Sequence, residues 1–149
     1  VASIKRLGSE VIHFGAYFDE AREYAEQISC EEGYRFIHAV NEPLLIEGVA
    51  TFTMEIIEDL PDVDVIIVPL GGGSGASGVC LVAKHINPDI KVIAVQSTKA
   101  PAAYLSWKNG SLTKADMTSR AEGLATGSGY ELPQEILKAL LHITKIEVM

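Results

Sequence analysis

The chain has 149 residues, 48% of them hydrophobic and 21% charged, with a formal net charge of -8. That length suits a single domain with a real core, the acidic balance disfavours nucleic acid or an anionic membrane as partner, and no apolar run approaches the roughly 20 residues of a membrane span. Two cysteines, Cys30 and Cys80, form neither a disulfide framework nor a C-x-x-C pair; both read as small buried hydrophobes, and a reducing cytoplasm fits them best.

The opening "VASIKRLG" reads as the last turns of a helix, with Lys5 and Arg6 suited to a helix C-terminus and Gly8 just past it. A helix without its beginning predicts a chain that is a piece of a longer one. "SEVIHFG" reads as a short strand ending at Gly15. The next helix opens near Asp19, carries Ala21, Tyr24, Ala25 and Ile28 at helical spacing, and stops at Gly33. "YRFIHAV" reads as a second short strand, followed by a helix with Pro43 near its start and Pro61 closing it.

"VDVIIVPL" is a near-continuous β-branched run, the pattern of a strand buried on both faces. A glycine loop follows, then the helix "ASGVCLVAKHI", ending at Asn87-Pro88, and a further buried strand "IKVIAVQS". "PAAYLSWKNG" reads as a helix between Pro101 and Gly110. Residues 111 to 130 read as loop, "PQEILKALLHI" as a last helix and "TKIEVM" as a strand. Strands alternating with helices predict an α/β fold: a three-layer arrangement of a parallel sheet flanked by helices.

The glycine loop carries the chemistry. Glycines at 71, 72, 73, 75 and 78 follow a strand and open a helix. Bare backbone at a positive helix end is an anion site, and a tight turn alone needs only one or two glycines. The ATP loop needs Gly-Lys-Ser/Thr, and no lysine follows before Lys84. Gly73, Gly75 and Gly78 match the dinucleotide pattern G-x-G-x-x-G, which makes a Rossmann-like NAD(P)-binding oxidoreductase domain the alternative. That pattern wants a carboxylate at the end of the next strand for the ribose hydroxyls, where this chain has Gln96. A single phosphate monoester needs only several N–H donors and no second motif.

"VDVIIVPLGGGSGASG" resembles the phosphate loop of the fold-type II, tryptophan-synthase-β-like pyridoxal-phosphate enzymes, the group of threonine and serine dehydratases, threonine synthases and serine racemases. The likeness runs in register through "LGSEVIHFGAYFDEAREYAEQISCEEGYRFIHAVNEP", through the strand, loop, helix and strand that follow, and into "AEGLATGSGYELPQEIL". It implies the end of a small domain in residues 1–36 and part of the large coenzyme-binding domain in 37–149. Gly71, Gly72, Gly73, Ser74 and Gly75 then occupy the positions whose main-chain N–H groups hold the coenzyme phosphate, with Ser74 and Gly75 departing from the family's four glycines and an apolar residue. Gly123 matches a glycine beside the coenzyme ring, with Glu122 replacing the commoner Asp. Where some relatives hold a divalent cation through a Glu and an Asp, this chain has Gln96 and Ala102, so no metal is expected there.

The resemblance also implies a Schiff-base lysine in a Ser-x-Lys-x-Arg-Gly-like motif, a loop for the substrate carboxylate, and a Ser or Cys near the pyridine nitrogen. None is present in the chain, and Lys5 in "ASIKRLG" aligns with a surface helix instead. The implied whole is a dehydratase that eliminates water from a hydroxy amino acid and releases a 2-oxo acid and ammonia, in a homo-oligomer, with this chain an inactive fragment. Dehydratase, racemase and synthase remain open within the group. His13, His38, His85 and His142 lack metal-ligand spacing and read as structural or surface residues. Tyr104 and Trp107 read as packing, and Ser77 has no G-x-S-x-G elbow around it. Glu20, Glu23, Glu26 and Glu31 read as a solvated helix face.

Overall fold

The structure, a computed structural model, describes residues 1–140. Contacts divide the chain into two compact units, Val1–Ile37 and the residues from His38 onward. The expected strand over 144–149 lies outside the described residues.

The first unit holds α1 (Ala2–Arg6) and α2 (Phe18–Glu32). Gly33 closes α2 in the left-handed conformation, φ 71°. At the other end the Glu20 carboxylate accepts the Ala16 N–H at 2.7 Å, which satisfies one donor near the helix start. The two segments flanking α2 do not form the expected strands: residues 9–15 and 34–37 carry no ladder. Apolar residues are there, but Ile12, Phe14 and Ile37 stay exposed, and a strand exists only through the hydrogen bonds of a neighbour. Phe14 does stack on Tyr24 of α2, ring centroids 3.9 Å apart. The acidic face of α2 is more than a solvated one, because Arg22 pairs with Glu23 at 3.3 Å and Glu26 at 2.6 Å. Cys30, expected inside, is exposed. It sits two residues past Ile28, a turn of 200° away from the apolar stripe.

The second unit contains α3 (Pro43–Asp59), β1 (Val65–Pro69), α4 (Ser74–Ile86), β2 (Lys91–Val95), α5 (Ala102–Asn109), a 3-10 turn (Glu122–Leu124) and α6 (Glu131–Leu140). β1 and β2 pair in parallel, in register from Val65 opposite Lys91 to Pro69 opposite Val95. The α/β class and the parallel sheet are thus present. Alternation along the strands sends Ile66, Val68, Val92 and Ala94 into the core, where they meet Val79, Cys80 and Ala83 of α4 and Leu137 of α6. The expected burial of β1 on both faces does not hold, since Val65 and Ile67 are 43% and 67% exposed. α3 lies against α4, and α4 against both the sheet and α6.

The helix ends follow local chemistry. Pro43 sits in the first turn of α3 and the Glu42 side chain accepts the Leu44 N–H. Lys84 Nζ reaches back to the carbonyls of Pro88 and Ile90, at 2.8 and 2.6 Å, which secures the turn that carries α4 into β2. Gly110 ends α5 with φ 71°.

Candidate anion-binding site

The site lies where β1 ends and α4 begins. The loop leaves the sheet as Leu70 N–H donates to Val95 C=O at 2.7 Å. Residues 71–73 are buried, and α4 opens at Ser74 with Gly73 as its N-cap. The first main-chain N–H to find its helical acceptor is that of Ser77, which donates to Gly73 C=O at 2.9 Å. The N–H groups of Ser74, Gly75 and Ala76 have no acceptor four residues back within the helix. They converge at the positive end of a 13-residue helix.

The glycines divide by what surrounds them. A Cβ on Gly71 would lie 3.0 Å from Leu124 Cα and 3.2 Å from Gly123 O; on Gly72, 2.6 Å from Val40 Cγ2; on Gly73, 2.8 Å from Pro133 Cβ. Packing of the loop therefore demands those three. Gly75 is different. It has an ordinary φ, sits half-buried, and a Cβ there would meet nothing within 4 Å. Gly123, exposed in the 3-10 turn, is equally unobstructed. The fold explains Gly71, Gly72 and Gly73, and it leaves open space above Gly75 and beside Gly123. Main-chain donors at a helix start, with room left beside Gly75, suit an anion such as a phosphate.

The structure brings together what the sequence placed more than 45 positions apart: Gly123 and Leu124 border Gly71. Ser74 is half-buried at the first position of α4. Gln96 takes part in a way the sequence does not announce. It is 1% exposed. Its Oε1 accepts the Tyr104 N–H at 2.8 Å and its Nε2 donates to Gly71 C=O at 3.3 Å. A neutral amide, 1% exposed and held at both ends by main chain, is a poor substitute for the carboxylate that a ribose wants, which weakens the dinucleotide alternative. Beside it a cavity of about 570 Å³ opens at the carboxyl ends of the strands, bordered by Pro69, Val95, Gln96, Ser97, Arg120 and Leu124, the usual place for a ligand in such sheets.

Lys5 is exposed in the last turn of α1. Ser77 is fully buried, and Ala102, in the place expected of a cation-binding Asp, is also fully buried. His38 Nδ1 accepts the N–H groups of Val40 and Asn41, at 2.9 and 2.7 Å, a structural use. His142 lies outside the described residues. Tyr104 and Trp107 stack with centroids 6.5 Å apart. Asn41 accepts the Leu132 N–H through Oδ1 at 2.9 Å and so fixes the start of α6, whose Pro133 backs Gly73. No local pattern marks it.

A parallel strand, a glycine turn and a helix start define an α/β protein with a candidate anion site at the helix N-terminus. The chain belongs to the pyridoxal-phosphate dependent enzyme family, whose model matches residues 1–148. It is 39% identical to the L-threonine ammonia-lyase of Thermotoga maritima over 139 residues, covering 93% of this chain and 35% of that protein. With the catabolic L-threonine dehydratase of Escherichia coli K12 it shares 35% identity over 142 residues, covering 95% of this chain and 43% of that one. Among solved structures, the processed threonine deaminase isoform 2 of Solanum lycopersicum superposes with a TM-score of 0.87 at 30% identity, over 94% of this chain and 41% of its own. Maize serine racemase gives 0.84 at 29%, over 95% and 45%. The chain thus spans about a third to just under half the length of these relatives.

Proposed function

We propose that this chain is the coenzyme-phosphate portion of a pyridoxal-phosphate-dependent lyase of the threonine/serine dehydratase group, which converts a hydroxy amino acid to a 2-oxo acid and ammonia. One observation carries the site: α4 opens at Ser74 with main-chain N–H groups that have no helical acceptor, and a Cβ at Gly75 in that first turn would meet nothing within 4 Å. The relatives named for threonine ammonia-lyase and dehydratase activity support the reaction.

In this reading the N–H groups of Gly71, Gly72, Gly73, Ser74 and Gly75 supply the phosphate cradle, and the Ser74 hydroxyl adds a donor. The dipole of α4 favours the dianion by about 0.3–1 kcal/mol. The main chain at Gly123 borders the ring. Pyridoxal phosphate, when bound, supplies an electron sink for charge developing at the substrate's α-carbon. The buried underside of the loop keeps water from that side of the phosphate. Residues 1–36 belong to the end of a small domain and 37–149 to part of the large one. The protein works in the cytoplasm as a homo-oligomer on a small amino acid. Among the described residues no helix is long and apolar enough to cross a membrane.

The test uses the intact protein carrying this segment. Titration with pyridoxal phosphate and with NAD, followed by ammonia release from L-threonine and L-serine, is expected to give tight binding of the first ligand only and turnover of at least one amino acid. Preferential binding of NAD, or no 2-oxo acid from either amino acid, would overturn the proposal.

A further inference from the structure

We infer that Gln96 is a positioning residue for the phosphate loop, its primary amide setting the peptide plane between Gly71 and Gly72. This rests on the loop being the phosphate cradle.

Gln96 donates through Nε2 to Gly71 C=O at 3.3 Å and accepts the Tyr104 N–H through Oε1 at 2.8 Å, while only 1% exposed. In a trans peptide the C=O of one residue and the N–H of the next point in opposite directions, and no peptide bond among the described residues is cis. Holding Gly71 C=O toward Gln96 therefore holds Gly72 N–H away from it. The loop is free to need such a hold, because glycine peptides rotate with little steric resistance. The other end of the amide is anchored to α5. Tyr104 is the third residue of that helix, so its N–H is one of the orphan donors of the first turn. Gln96 thus ties the loop to a rigid element across 25 residues of sequence.

Few side chains can do both. A carboxylate accepts from Tyr104 but presents only lone pairs to Gly71 C=O, and a leucine does neither. Gln96 is 1% exposed and Gly71 is buried, so a lost bond here is not readily replaced. In Gln96→Glu, assayed at a pH where the new carboxyl is ionised, the repulsion between the carboxylate and the carbonyl turns the Gly71–Gly72 peptide, while the Tyr104 bond that secures α5 remains.

The experiment compares pyridoxal phosphate with pyridoxal, which lacks the phosphate, as ligands of the intact apo-protein, by absorbance or by quenching of intrinsic fluorescence. Wild type is expected to prefer the phosphorylated ligand strongly. Q96E and Q96L are each expected to reduce that preference about tenfold or more, the size of one lost hydrogen bond to a charged group, with pyridoxal affinity within about twofold of wild type. A ligand preference unchanged in Q96E, or a loss shared equally by both ligands, would overturn the inference. A wild-type protein with no phosphate preference would instead refute the cradle reading beneath it. Phosphorus NMR of the bound coenzyme gives a second readout, with a shifted resonance expected in Q96E.

Discussion

Gly78 on α4 faces the backbone of Ala50 on α3 so closely that a Cβ built on Gly78 would lie 2.9 Å from Ala50 Cα and 3.0 Å from Ala50 N. The neighbour is main chain in the middle of a 17-residue helix, so it cannot swing aside as a side chain would. The two helices meet here at a distance that only hydrogen atoms fill. Gly78→Ala is expected to destabilise the protein by about 1–3 kcal/mol through overpacking. Denaturant titration measures it; a stability equal to wild type would mean that α3 and α4 are further apart than described.

Gly73 combines two demands. Its φ of 109° is a conformation side chains rarely adopt, and a Cβ would press on Pro133 at 2.8 Å. Gly73→Ala is expected to cost about 1–3 kcal/mol in strain and to weaken coenzyme binding, since this residue caps α4. Thermal unfolding with and without pyridoxal phosphate separates the two effects: both the apo midpoint and the ligand-induced rise should fall.

At Gly75 the expectation reverses. Alanine fits without contact within 4 Å, at an ordinary φ, in the first turn of a helix. Gly75→Ala should leave the apo-protein as stable as wild type or up to about 1 kcal/mol more so. Its Cβ enters the space assigned to the phosphate, so affinity for pyridoxal phosphate should fall while folding does not. Equal affinity in variant and wild type would move the phosphate away from Gly75.

The two cysteines differ in reactivity for a physical reason. Burial pushes the Cys80 thiol up from 9.0 to about 11, with Lys84 pulling it slightly back, and Cys80 is fully buried whereas Cys30 is exposed. A thiol reagent at pH 8 should label Cys30 in the native protein and Cys80 only after unfolding, as peptide mapping would reveal. The folded value lies above the unfolded one, so the native state holds this proton more tightly. That stabilisation is complete below pH 9.0 and is lost as pH rises to about 11. The loss amounts to about 2–3 kcal/mol. Cys80→Ala should flatten that part of the stability profile, and an unchanged slope would assign it to other groups.

Much of this molecule was legible locally. The helices over 18–32, 43–59, 74–86 and 102–109 follow from apolar spacing, from Pro43 and Pro101 near their starts, and from Gly33 and Gly110 at their ends, because helical hydrogen bonds span four residues and their signals lie within reach of one another. The loop at 71–75 was legible for the same reason: a strand, a glycine run and a helix start are contiguous in sequence.

What the sequence could not decide rests on partners far along the chain. The apolar runs at 9–15 and 34–37 gain no ladder, since a strand is made by its neighbour and not by its own composition. β1 buries one face only, Ile66 and Val68 inward with Ile67 exposed, although all of these residues are equally apolar. Asn41 reaches Leu132 across 91 positions and Gln96 reaches Gly71 across 25, neither with any local mark. Sequence alone pointed to the start of α4 as a candidate anion site. Only the tertiary structure separated the glycines that packing requires, at 71, 72, 73 and 78, from Gly75 and Gly123, where space is left for a ligand. Steric exclusion acts between atoms brought close by folding, and it leaves no trace in residue order.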